Sequence, residues 1–227
     1  MSPGALPGLG PFFAVDVHPA GADPAPPWLA FAELLSPSGG QLRARAEAVR
    51  RALAGRGGLG VDAVPLRVAV SVMHLGLAAR LIAPAVAAAA LGGLPSLGLD
   101  PDGLWWQDKL GGPVPLSVPA ARGSGGRSPR VIDDLVAPLT GAAGALVPVS
   151  PRVLWGNVAS AINGAASMIA ATRPELASRA AATSLALLHH PALAASYNGQ
   201  PITSFQRRSC CLIYRLATSP PAEYCGD

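Results

Sequence analysis

The chain has 227 residues, half of them apolar and only 13% charged, with a formal net charge of +4. That length supports one domain with a sizeable core or two small lobes, and alanine supplies so much of the apolar count that helices should pack closely around small side chains. The basic residues are nearly all arginine, with Lys109 the sole lysine, and no Lys/Arg run or interleaved aromatics occur; nucleic-acid binding is therefore not expected.

Residues 1–27 carry repeated Pro and Gly and read as an irregular leader. The opening MSPGALPGLGPFF lacks the basic region of a secretory signal. Trp28 to Leu35 suits a short helix. Ser38-Gly-Gly-Gln41 has capping-box spacing, and the helix after it sets Leu42, Ala46, Val49 and Leu53 on one face. Arg43, Arg45, Arg50 and Arg51 read as its solvated face, and Gly55 as its stop. Pro65 fits a first helical position. From Leu66 to Leu81 the pattern is apolar nearly all round, which predicts a helix through the core. Within it His74 reads as a hydrogen-bonded core histidine. Arg80 must find partners or reach water, because a lone buried guanidinium is costly. Pro84 reads as the start of a second turn ending at Gly92-Gly93. The least polar window, Leu81 to Leu99, has the length of a membrane span. Pro84, Gly92, Gly93, Pro95 and Gly98 interrupt it, so it reads as a buried helix and turn, with no transmembrane segment expected.

Leu104 to Gln107 and Val114 to Val118 predict a β-hairpin. Pro115 confines the second strand to an edge, and alternation puts Trp105 and Trp106 on opposite faces, one in the core and one able to line a ligand surface. Residues 120–129 read as a flexible connector between an N-terminal lobe (28–119) and a C-terminal helical lobe (130–204). Two further helices are expected there. The first, Pro151 to Ala171, buries Leu154, Val158, Ile162, Ala165 and Ile169 and carries Asn157, Ser160, Gly164 and Ser167 on its other side. The second starts at Pro174, points Leu176, Ala180, Leu187 and Leu188 inward, and ends at His189-His190, which read as a helix-end cap. The expected fold is mainly α with a small β-hairpin.

The tail, residues 205–227, holds all three cysteines: Cys210, Cys211 and Cys225. An odd number clustered at one end is no secreted disulfide framework, and a cytoplasmic protein is expected. Thiolates are soft ligands for zinc, copper(I) or iron–sulfur clusters. Adjacent cysteines make a poor zinc hook, because successive side chains diverge on a helix or strand. They can both reach a wider object, such as a two-iron cluster, where the backbone is irregular. Gly226 would let backbone N–H groups approach sulfur. Arg207, Arg208 and Arg215 either offset the charge of an anionic cluster or attract an anionic ligand through their planar forks. Unmodified buried cysteines are the alternative.

The run Arg207-Arg-Ser-Cys-Cys-Leu-Ile-Tyr-Arg215 with a Cys-Gly-Asp ending resembles the end of the FhuF-like ferric-siderophore reductases. The resemblance extends to Trp155-Gly-Asn157 and, more weakly, to His74-Leu-Gly-Leu-Ala-Ala-Arg80. The helical body is also similar to the palm region of siderophore synthetases, which lack the cysteine ending. What the resemblance implies is a [2Fe–2S] cluster held by Cys210, Cys211 and Cys225, with a fourth cysteine falling one position past Asp227. Either the chain continues to it, or Asp227, a terminal carboxylate, a histidine or a partner supplies the fourth bond. The implied activity is one-electron reduction of Fe(III) in a siderophore, releasing Fe(II), with electrons from an external donor protein or small reductant. No nucleotide fingerprint accompanies it, since Gly55 to Gly60 follows a helix and not a strand. The alternatives are a siderophore-binding module without a cluster, and a structural zinc site using His189 or His190.

Overall fold

A helix that is apolar all round has to be enclosed by others, and Leu66–Ala90 (α3) is so enclosed. The structure is a computed structural model that describes residues 8–36, 38, 40–92, 99–120 and 130–216. Part of the expected leader, most of the expected connector and Cys225 lie outside them. Among the described residues the protein is mainly helical with a small sheet. Around α3 pack Gly40–Gly57 (α2, after the short helix Phe31–Leu34, α1), Ala137–Leu146 (α4), Pro151–Thr172 (α5) and Ala177–Leu188 (α6). The stripe Leu154, Val158, Ile162, Ala165 and Ile169 is buried as its spacing predicts, and it joins Leu77, Leu81 and Ile82 of α3 in one core. Both α3 and α5 are long and apolar enough to cross a membrane, and about three-fifths of each such window is buried against the rest of the chain.

Several boundaries differ from the sequence expectation. α3 does not break at Pro84 but continues to Ala90. A proline in a helix interior removes one N–H bond and crowds the preceding turn; here the buried neighbours Leu81, Ile82, Val86 and Ala87 hold the helix in place across it. Pro65 is the N-cap, with extended φ and ψ of −62° and 133°, and not the first helical residue. α2 runs past Gly55 and stops at Gly58, whose φ of +61° suits glycine. There the Leu59 N–H reaches the Ala54 carbonyl (2.9 Å) and the Gly58 N–H the Gly55 carbonyl (3.4 Å), a Schellman closure. Gln41 donates to Glu33 of α1 and Ser38 pairs with Ser36, so the reciprocal capping box is not formed. α4, preceded by a π-helical turn over Ile132–Val136, was not expected; Pro138, Gly141 and Gly144 hide its apolar face.

The leader is not irregular throughout. Asp16–His18 (β1) lies within it, whereas Leu29–Ala30 (β2) replaces the start of the helix expected over Trp28 to Leu35, and both join Trp105–Trp106 (β3) and Leu116–Pro119 (β4) in a sheet of order β1-β4-β3-β2. The hairpin is present, with Trp105 opposite Ser117, but β4 is interior because β1 pairs parallel to its far side. Pro115 lies just ahead of β4, where its missing N–H is harmless and its carbonyl accepts from the Gln107 N–H. Trp106 is buried and Trp105 half-buried, so one tryptophan is core.

Arg80 and Arg45 show how buried cations are accommodated. Arg80, 2% exposed, donates to the carbonyls of Val114 (2.6 Å), Ala14 (2.7 Å) and Phe12. It thus ties the leader and the hairpin to α3, and burial lowers its pKa to about 10. Arg45 is not part of a solvated face. It is 5% exposed, ion-paired with Asp108, and lies over the Trp106 ring.

Candidate functional site

Asn157 was expected on the polar side of α5, yet it is fully buried and joins three parts of the chain. Its Nδ2 donates to the Ser71 carbonyl (2.9 Å) and sits 3.4 Å from His74 Nδ1, while its Oδ1 accepts from Arg207 Nη2 (2.7 Å). On the other side of the imidazole, His74 Nε2 lies 3.0 Å from Thr140 Oγ1. The Thr140 hydroxyl spends its proton on the Val136 carbonyl (2.7 Å), so it accepts from His74. A neutral ring with its proton on Nε2 therefore satisfies both neighbours. Burial first, and then the positive charge of Arg207, lower the His74 pKa to about 3.

The tail lies on this buried junction because α5 has a notch at Gly156. A Cβ there would meet Ser209 Oγ at 2.2 Å and Arg207 Nε at 2.8 Å. Across the notch Arg207 also donates to the Val153 carbonyl (3.0 Å), and Ser209 donates to the Arg152 carbonyl (2.8 Å). Gln206–Arg207 (β6) pairs antiparallel with Tyr197–Asn198 (β5), and Tyr197 stacks on Phe205 at 5.8 Å. The Arg208 N–H reaches the Ser196 carbonyl (3.0 Å), so the tail is held by both backbone and side chains up to Ser209.

Beyond Ser209 the regular backbone ends. Cys210 is half-buried and Cys211 buried at 7% exposure, and neither lies in a helix or strand. Leu212 follows with φ of +72°, a left-handed conformation that a branched side chain rarely adopts. A short 3₁₀ turn, Ile213–Leu216, comes next. Arg207 is turned inward, whereas Arg208, bonded to Asn198, and Arg215 are exposed. Cys225 lies outside the described residues.

No family model, curated protein or solved structure matches this chain. The site therefore has to be read from its own residues. The structure joins Arg207, through Asn157, to His74, and Cys210 and Cys211 follow three and four residues after Arg207 in the chain. It does not gather the histidine pair with them. His189 is exposed. His190 accepts from the Ala192 N–H through Nδ1, lies 3.2 Å from Asp133 Oδ1 through Nε2, and stacks on Trp155. It caps the following 3₁₀ turn, not the end of α6. Its hydrogen bond, chiefly, holds the Asp133 carboxyl below the ordinary range. Among the described residues no three His, Cys, Asp or Glu side chains are grouped to hold a metal. Sequence reasoning missed Ser209 and the left-handed Leu212, for which no local pattern exists.

Proposed function

We propose that this protein is a [2Fe–2S]-dependent ferric-siderophore reductase of the FhuF-like kind, acting in the cytoplasm. One observation carries the reading. One residue from each stretch on which the resemblance rests, His74, Asn157 and Arg207, meets the others in one hydrogen-bonded unit, with Arg207 three residues ahead of the vicinal cysteines in the chain. The mainly helical body is compatible with the siderophore-synthetase-like palm that the same reading implies.

The residues present fit such a group in one respect that can be tested on this chain. Adjacent thiolates serve one wide cluster only where the backbone departs from helix and strand, and the left-handed Leu212 marks such a departure directly after Cys211. Cys210, Cys211 and Cys225 would hold the cluster. When bound, it would supply single electrons to Fe(III), whose hard oxygen ligands bind Fe(II) less strongly. The rest is this chain's own work. Burial of Cys211 keeps water from its sulfur, and Arg207, fixed by Asn157 and Val153, holds the start of the loop rigid. Arg208 and Arg215, both exposed, attract an anionic chelate. A donor protein or small reductant supplies the electron.

Anaerobically purified protein is expected to be red-brown, with iron and sulfide in equal amounts. Cys211→Ser should lose the colour while keeping the helical circular-dichroism signal. Colourless wild-type protein that binds a ferric siderophore without reducing it would point to a binding module instead, and stoichiometric zinc without sulfide to a structural metal site.

A further inference from the structure

On the far side of α3 from His74, a cavity of about 310 Å³ opens between α2, α3 and the loop Leu110-Gly-Gly-Pro113. Its size is that of a small-ligand pocket. Its wall is largely apolar and includes Val49, Leu53, Met73, Leu77 and Leu110. Two arginines complete it. Arg45 is 5% exposed, and Asp108 occupies its Nη1 while its Nε–H has no acceptor among the described residues. Arg56 is exposed at the rim and makes no ion pair among the described residues. Among the described residues no acidic side chain lines the cavity.

Gly76 adds an independent observation. It sits in the interior of α3, where glycine lowers helix stability relative to alanine. The common reason for a glycine there is close packing, yet a Cβ at Gly76 would meet nothing within 4 Å. Gly76 is exposed, so what the missing side chain leaves is room at the mouth of the cavity, which Gly76 lines.

We propose that this cavity binds a small amphipathic carboxylate, its charged end toward Arg45 and Arg56 and its apolar body along Val49, Leu53, Met73 and Leu77. Arg45 shares its charge with one carboxylate and Arg56 has no ion-pair partner among the described residues, so an anion is favoured over a cation, and the apolar wall favours a hydrocarbon body over inorganic phosphate or sulfate. The site is separate from the cysteine tail, and the proposal stands whether or not the protein holds a cluster.

The test is calorimetric titration of the whole protein with octanoate, octan-1-ol and octylamine at low salt. Octanoate should bind one to one, with the alcohol and the amine weaker by about tenfold or more. Gly76→Leu places a side chain in the open space, so it should abolish octanoate binding with a Tm no lower than wild type. Arg56→Gln, at an exposed position, should weaken octanoate several-fold and flatten the salt dependence of binding. No heat with octanoate overturns the proposal. So does an alcohol that binds as tightly as the acid, or a folded Gly76→Leu protein that keeps its affinity.

Discussion

Arg80 and Arg207 each fasten non-helical chain to the helical body, but in different surroundings. Arg80 is 2% exposed and spends its guanidinium on three backbone carbonyls from the leader and the hairpin. Arg207 is half-buried and divides its donors between the backbone of α5, Asn157 and Ser209. The first arrangement has no room for exchange with water, so it serves stability. The second sets the position of a loop that ends at two cysteines. A buried cation with only carbonyl partners is a structural tie, whereas one with side-chain partners can be tuned through them.

The largest expected effect is at the structural tie. Arg80→Met should lower unfolding free energy by about 3–5 kcal/mol, because three carbonyls lose their donor in a site closed to water. Urea denaturation followed by circular dichroism measures this, and a loss under about 1 kcal/mol would show those carbonyls finding water.

Next comes the acid limb of stability. The folded protein keeps His74 neutral down to about pH 3, whereas the unfolded chain protonates it near the ordinary value of 6.5. Between those two values the unfolded state binds the extra proton. Stability that is intact above about pH 6.5 should therefore fall by up to about 1.4 kcal/mol per pH unit on acidification. His74→Gln should flatten that slope in a series of denaturant midpoints from pH 7 to pH 4.

Smaller again, Arg207→Met should cost about 1–2 kcal/mol, since the buried Asn157 oxygen loses a donor that was partly exposed to solvent. Its sharper signature is at the loop. Cys211 should react with a thiol reagent faster than in wild type, while Arg80→Met under native conditions should not change that rate. Equal acceleration in both would erase the distinction between the two ties. At the low end, Arg208→Ala should change stability by less than about 0.5 kcal/mol, because its bond to Asn198 is exposed. It should still weaken capture of an anionic chelate in a salt-sensitive way.

The helical body was legible from the sequence, because the periodic positions of α5 and the all-round apolarity of α3 are strong local patterns. The need of Arg80 for partners was equally legible; which carbonyls would meet it was not, since Phe12, Ala14 and Val114 are far apart in the chain. The sheet was half legible. The hairpin announces itself, but β1 and β2 are three and two residues long, too short for alternation to register, and only the pairing of β1 makes β4 an interior strand. Arg45 looked like one of four solvated arginines until Asp108 and Trp106 enclosed it. At the site, the chemistry of Cys210 and Cys211 was visible in their types alone. That Gly156 provides the notch for Ser209, and that Asn157 joins His74 to Arg207, depends on helices brought together from distant parts of the sequence.

The parallel pairing of β1 with β4 has a consequence for synthesis. Asp16 lies opposite Ser117, one hundred and one residues downstream (117 less 16). At ordinary elongation rates that interval amounts to about 5–20 s. Throughout it the first strand has left the peptidyl-transferase centre with no partner, and Phe13 and Val15, later enclosed in the core, remain uncovered. The beginning of this chain thus completes its contacts only once the middle of the chain has been made. A ribosome stalled before the hairpin would present those apolar residues to any holdase within reach.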